Sequence, residues 1–262
     1  MILKPITIDI SRYPSSLHSI LIDANIFDSS CSPEAKVIFI DKESGYFLKS
    51  APKGTLAREA VMTGYFYKKG LAAKIIDYVS DEEHDWLLTK KIQGHDCITA
   101  KYIEQPKRLC DIFAERLIHL HSLGFKDCPI QNHTERFLAK AEYNKRADNF
   151  DKSNFPDSFG YKCPEEAWKV VKTKGYLLKT ETLLHGDYCL PNIILDDWRF
   201  SGFIDLDNGG VGDRHVDLFW GIWTLTWNLK TDKYRDRFLD VYGRDKIDEE
   251  RLLVVAGAEV FG

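Results

Sequence analysis

The chain has 262 residues, 44% of them apolar and 29% charged, which is long enough for one large domain or two smaller ones and excludes a disordered or fibrous chain. Its 36 basic and 40 acidic residues leave a formal charge of −4 with no basic block, which argues against nucleic acid as a partner. The first ten residues lack the core of a secretory signal, and the most apolar stretch, Leu218 to Trp227, is shorter than the roughly 20 residues of a membrane-spanning helix, so the expectation is a cytoplasmic protein without a membrane partner.

In chain order, Val37–Asp41 and Tyr46–Lys49 flank a Ser44-Gly45 turn and read as a β-hairpin, with Lys49 ending the second strand. From Thr55 to Lys69 the pattern predicts a helix stopped by Gly70, with Glu59 in its first half. Leu87-Leu88 reads as a last strand running into a connection at 89–94. That places an N-terminal lobe at 1–90 and a second lobe at 95–262. Leu109, Ile112, Phe113, Leu117 and Leu120 recur at helical spacing up to Gly124 and form a core stripe. The stretch from Arg146 to Gly160 reads as an exposed loop, Pro164 as a helix start, and Leu218 to Trp227 as a buried helix. Six cysteines without a Cys-x-x-Cys pair are expected to be reduced, Cys189 being structural, while His119 and His121 read as packing or surface residues.

The chemistry concentrates between His185 and Asp205. His185-Gly186-Asp187 alone is weak, since such a tripeptide is most often a turn capping a helix. Asp187 nevertheless precedes Asn192 by five residues, and Gly202-Phe203-Ile204-Asp205 follows. Phosphoryl transfer needs an acceptor hydroxyl held by a carboxylate and Mg²⁺ held by an amide and a second carboxylate. Asp187 is therefore the candidate catalytic base, and Asn192 and Asp205 are the candidate metal ligands. A lysine and a glutamate ten residues apart are usually two solvated charges, but Lys49 on a strand and Glu59 on the next helix match the pair that steadies nucleotide phosphates. Asp213 and Asp217 read as supports of the fold.

With these residues in place, the chain resembles the aminoglycoside O-phosphotransferases, in particular the 3′-hydroxyl kinases. The likeness runs through Ser32-Pro33, Phe47-Leu48-Lys49, Arg58-Glu59, Leu120-His121-Ser122-Leu123, His185 to Asn192 and Ser201 to Leu206. It implies an α+β, two-lobed protein-kinase-like fold, with an antiparallel N-terminal sheet and one main helix, followed by a mostly helical lobe. It implies ATP or GTP with Mg²⁺ as cofactors and antibiotic resistance as the consequence. Carried over, Ser32 lies near the β-phosphate, Phe47 stacks on the base, and the linker backbone at Lys90 and Ile92 contacts adenine. Lys49 and Glu59 form the phosphate-binding pair.

The resemblance also implies a cationic aminoglycoside as the small-molecule partner, in a monomer or dimer, with Asp157, Asp187, Glu259 and Phe261 as substrate residues; Asn208 and Trp227, where the chain departs from the family, are the further candidate substrate residues. Charge-assisted bonds to ammonium groups need carboxylates. Here the family's usual Leu-Gly-Arg is replaced by Leu206-Asp207-Asn208, and the helix after Asp217 carries Thr224-Leu225-Thr226-Trp227-Asn228. A kinase of another hydroxylated small molecule, such as an amino alcohol, a sugar amine or a macrolide, stays open beside the aminoglycoside. A protein kinase is disfavoured because no Gly-x-Gly-x-x-Gly loop, His-Arg-Asp or Ala-Pro-Glu is present.

Overall fold

A computed structural model of the protein describes residues 3–31, 33, 35–151 and 160–262, so Ser32 and Asp157 lie outside the described residues. The chain divides into two compact units, Met1–Thr99 with Ile193–Asp207, and Ala100–Asn192 with Asn208–Gly262. The architecture is α+β.

The first unit opens with β1 (Lys4–Pro5), a short helix α1 (His18–Leu21), β2 (Asn25–Asp28), β3 (Lys36–Asp41) and β4 (Tyr46–Pro52). Helix α2 (Ala57–Lys68), β5 (Ile75–Ser80), β6 (His84–Lys90) and β7 (His95–Asp96) follow. The first six strands form one antiparallel sheet in the order β1-β2-β3-β4-β6-β5. Strand alternation separates its two faces. Ile38, Ile40, Tyr46, Leu48, Trp86 and Leu88 pack with Leu17 and Leu21 of the N-terminal segment, whereas Ala51 and Leu87 pack with Leu56 and Ala60 at the start of α2. The expected hairpin is present, but its second strand does not end at Lys49. It runs on because Ser50, Ala51 and Pro52 pair with Trp86, Asp85 and His84. Strand β5, absent from the sequence reading, pairs with β6 at the end of the sheet and is mostly half-buried, so it lacks the strong alternation that marks β4. Buried Asp85 on β6 accepts the Leu56 N–H at 3.0 Å, fixing where α2 begins, and Gly70 at φ +72° ends its last turn.

The second unit begins with α3 (Ala100–Ile103), α4 (Pro106–Ser122), α5 (His133–Ala147), α6 (Pro164–Lys174) and β8 (Thr182–Leu184). Strands β9 (Ile193–Asp196) and β10 (Arg199–Phe203) return to the first unit, where β9 pairs with β7. The second unit then resumes with β11 (Gly210–Gly212), paired to β8, and helices α7 (His215–Leu229), α8 (Arg235–Tyr242) and α9 (Glu249–Glu259). Its core is built on the expected α4 stripe, with Leu109, Phe113, Leu117 and Leu120 all buried. The Phe113 ring lies 4.6 Å from Tyr188 and 5.5 Å from Phe238. Arg146 and Ala147, expected in a loop, close α5 instead, and α7 is longer at both ends than the apolar run that predicted it. None of the six cysteines is in a disulfide. No described helix is long and apolar enough to cross a membrane.

Candidate active site

In the first unit, Lys49 is aimed by strand alternation. Tyr46 and Leu48 are buried against the N-terminal segment, which turns Phe47 and Lys49 to the face that carries α2. Lys49 Nζ donates to Glu59 Oε2 at 2.7 Å and to Asp205 Oδ1 at 2.9 Å. The three side chains are 23%, 8% and 47% exposed, so the glutamate is the buried member and Asp205 the accessible one. Burial works against the Lys49 charge, but the Glu59 and Asp205 carboxylates outweigh it and raise the lysine pKa. Burial pushes the Glu59 carboxyl up to about 7, opposed by Lys49 and reinforced by Asp205.

Asp205 is not part of a strand. It lies instead two residues beyond β10, in the left-handed conformation at φ +59°, a region an aspartate tolerates better than most side chains. Phe47 stands 5.1 Å from Phe39 on the adjacent strand. Lys90 ends β6, its N–H bonded to the Lys74 carbonyl at 2.9 Å, and the Ile92 side chain closes over Gly202.

In the second unit, the loop after β8 is held from α7. Asp217 accepts the N–H of His185 at 2.9 Å and of Gly186 at 2.7 Å. His121 Nε2 lies 3.0 Å from Asp217 and its Nδ1 lies 2.8 Å from the Tyr242 hydroxyl. Burial lowers the His121 pKa, which keeps the ring neutral, so Nε2–H donates to Asp217 and Nδ1 accepts from Tyr242. Burial likewise opposes the Asp217 charge, yet the bonds from His121 and the backbone hold its carboxyl below the usual range. Gly186 has φ +83°, and a Cβ there would stand 1.9 Å from the Asn208 carbonyl oxygen, so only glycine fits against that backbone.

Asp187 follows directly and is half-buried. Asn192 Nδ2 donates to its Oδ2 at 2.8 Å and to its carbonyl at 3.0 Å, which fixes the side chain and leaves the Asn192 amide oxygen as an acceptor. The Leu190 N–H is received by Thr224 Oγ1 of α7 at 3.1 Å. Burial first, and then the charge of Asp187, push the Cys189 thiol well above its ordinary range, which makes it a poor nucleophile and a packing residue.

Asp205 in the first unit and Asn192 in the second each carry an oxygen of the kind taken by Mg²⁺, a hard cation that accepts one or two protein oxygens and fills its shell with phosphates and water. Asp205 offers an accessible carboxylate, and Asn192 an amide oxygen oriented by the commitment of its nitrogen to Asp187. Among the described residues no group of three or more His, Cys, Asp or Glu is arranged to cage a metal.

The residues expected at the substrate fare differently. Glu259 accepts from Trp220 Nε1 at 2.9 Å, and burial, opposed by Lys140 and Trp220 and aided by Asp187, raises its carboxyl to about 7. Trp227 is 58% exposed and stacks on Trp223 at 5.6 Å, with Lys230 Nζ 4.3 Å above its ring. Asn208 is exposed. The Phe261 ring is fully buried against Phe150 and Trp168, and its carbonyl accepts from Asn144 at 2.7 Å, so its side chain belongs to the core. Asn228, which helped to keep the alternative substrates open, bonds back onto Thr224 of its own helix.

Sequence reasoning missed the contact of Arg58 with Asp207 and the parts played by His121 and Thr224. The expectation that Asp217 supports the fold did not extend to its two bonds to the loop.

A sequence model of the APH phosphotransferase enzyme family matches residues 27–253. A probable aminoglycoside 3′-phosphotransferase of Lactococcus lactis subsp. lactis (strain IL1403) is 55% identical over 260 residues, 99% of each chain. Among solved structures, an aminoglycoside-3′-phosphotransferase of type VIII superposes with a TM-score of 0.78 at 22% identity, covering 96% of each chain. An aminoglycoside phosphotransferase from Streptomyces rimosus, in complex with ADP and streptomycin, superposes with a TM-score of 0.69 at 20% identity, covering 87% of this chain and 91% of the other.

Proposed function

The chain belongs to the APH phosphotransferase enzyme family, and from that premise we propose that it transfers the γ-phosphoryl group of ATP or GTP to a hydroxyl of an aminoglycoside, the 3′-hydroxyl, giving resistance to the antibiotic. The observation that carries this reading is the pairing of Asp187 with Asn192, a carboxylate oriented by an amide whose own oxygen stays available, on a loop whose backbone is fixed by Asp217. The 55% identity to the Lactococcus lactis protein supports the choice of acceptor.

In the proposed mechanism Lys49 exchanges its bond to Asp205 for bonds to the donor phosphates, while Glu59 keeps the ammonium in place. Phe47 and the backbone near Lys90 and Ile92 face the base. Asp187 accepts the proton of the incoming hydroxyl, and the Asn192 amide holds its other oxygen still, so that the reacting lone pair is presented without reorganisation. Asn192 and Asp205 are the proposed ligands of Mg²⁺, which when bound neutralises charge on the phosphates. Glu259 offers a carboxylate to a substrate ammonium. A cation there would draw its carboxyl down from about 7 and replace the Trp220 bond as its main partner.

Turnover against kanamycin, neomycin, macrolides and simple amino alcohols, followed by coupled assay of nucleotide consumption, tests the reading. Phosphorylation of kanamycin and neomycin is the expected result. Turnover confined to macrolides or amino alcohols would transfer the acceptor assignment to those molecules, and no turnover with any acceptor would remove the enzymatic reading.

A further inference from the structure

Two neighbouring residues of α2 hold two different points of the chain just beyond β10. Glu59 holds Lys49, and Lys49 holds the Asp205 carboxylate at 2.9 Å. Arg58 reaches Asp207 twice, with Nε donating to the Asp207 carbonyl oxygen and a terminal nitrogen donating to Oδ2. Between these points Leu206 is fully buried. The tripeptide is therefore pinned at each residue, in a chain where Asp205 has a positive φ that a non-glycine residue adopts at an energetic cost.

Arg58 is a two-point donor of fixed shape, one point on a backbone carbonyl and one on a carboxylate, and a lysine cannot reproduce that fork. The carboxylate contact is also one-sided. Asp207 Oδ1 is buried and has no hydrogen-bond partner. A purely electrostatic pair would leave little reason for the guanidinium to engage the carbonyl, whereas a clamp on the backbone needs that bond most.

We propose that Arg58 is a positioning residue for the proposed metal ligand: by fixing the backbone at Asp207 it holds Asp205 in its left-handed conformation and thereby sets the Mg²⁺-dependent part of nucleotide affinity, without touching nucleotide or metal itself. This rests on the phosphotransferase reading above. It gives a role to Asp207, which stands where the resembling family usually has glycine, and it makes α2 the support of both Lys49 and Asp205.

The test is calorimetric and needs no turnover. ADP binding to the intact protein is measured with Mg²⁺ and with EDTA, and the ratio of the two affinities is compared across Arg58→Ala, Arg58→Lys and Asp207→Asn. Loss of a group that orients a metal ligand typically costs 10- to 100-fold in metal affinity, so Arg58→Ala and Arg58→Lys should each reduce the Mg²⁺ enhancement by about tenfold or more, with affinity in EDTA unchanged. Asp207→Asn keeps the backbone carbonyl and should retain the enhancement within about threefold, an outcome a charge-only role would not give. Arg58→Lys matching wild type, or Asp207→Asn losing as much as Arg58→Lys, overturns the proposal. If Arg58→Ala does not fold, as judged by thermal melting, the other two variants decide. A wild-type protein that binds ADP with no Mg²⁺ enhancement defeats the parent reading instead, and the two failures are thereby distinguished.

Discussion

Lys49 in one unit and Asp187 in the other are held by opposite means. Lys49 stands among charges: two carboxylates face it, one of them 47% exposed, in an arrangement that can exchange partners when phosphates arrive. Asp187 is held by neutral groups, an amide from Asn192 and a backbone path fixed by Asp217, and none of these has to move for it to accept a proton. A charge cluster suits a group that must change partners, and a neutral hydrogen-bonded cradle suits one that must stay aimed, since reorganisation at the reacting atom costs rate.

The comparison can be broken at Asp217, where the largest loss is expected. Asp217→Ala strips two buried N–H groups and His121 of their acceptor, and each buried donor left unsatisfied costs about 1–3 kcal/mol. Urea unfolding should show that loss, and one below about 1 kcal/mol would mean the cradle is not built as described. Glu259 sharpens the contrast through pH. Its carboxyl, at about 7 in the folded chain against 4.5 for the free side chain, binds more protons folded than unfolded. Its stabilising contribution is therefore full below about 4.5 and is lost as pH rises through about 7. Stability of the unliganded protein should fall by about 1–3 kcal/mol between pH 5 and pH 8 from this group, and Glu259→Gln should flatten that slope. An identical slope in both proteins would dismiss the assignment. Glu59→Gln is gentler. The amide relieves a buried charge while weakening the hold on Lys49, so thermal stability should hardly change and nucleotide affinity should drop about tenfold, or about 1.4 kcal/mol, by calorimetry. A large loss of stability with nucleotide affinity intact would show Glu59 to be a fold element only.

Local spacing carried the parts of the site that are local. Asp187 and Asn192, five residues apart, share one turn of loop, and Lys49 faces α2 because Tyr46 and Leu48 face the other way. What the sequence concealed spans long separations. Asp217 reaches His185 across 32 positions, Arg58 reaches Asp207 across 149, and Lys49 reaches Asp205 across 156. Periodicity tells which face of an element a residue occupies and is silent about which distant element that face meets. The hairpin, α2 and the α4 stripe were legible because their alternation or helical spacing is strong. The edge strand β5 was not, because half-burial blurs its period. The burial of the Phe261 ring was likewise not legible, because one aromatic near a chain end carries no period that tells core from surface.

The most direct test follows kinetics and binding together in Asp187→Asn, with kanamycin as acceptor and Mg²⁺-ATP as donor. Since a positioned general base contributes roughly 10²- to 10⁴-fold, kcat should fall by about that factor while the calorimetric affinity for Mg²⁺-ATP stays at the wild-type value. Turnover at the wild-type rate in that variant would contradict the account at its centre.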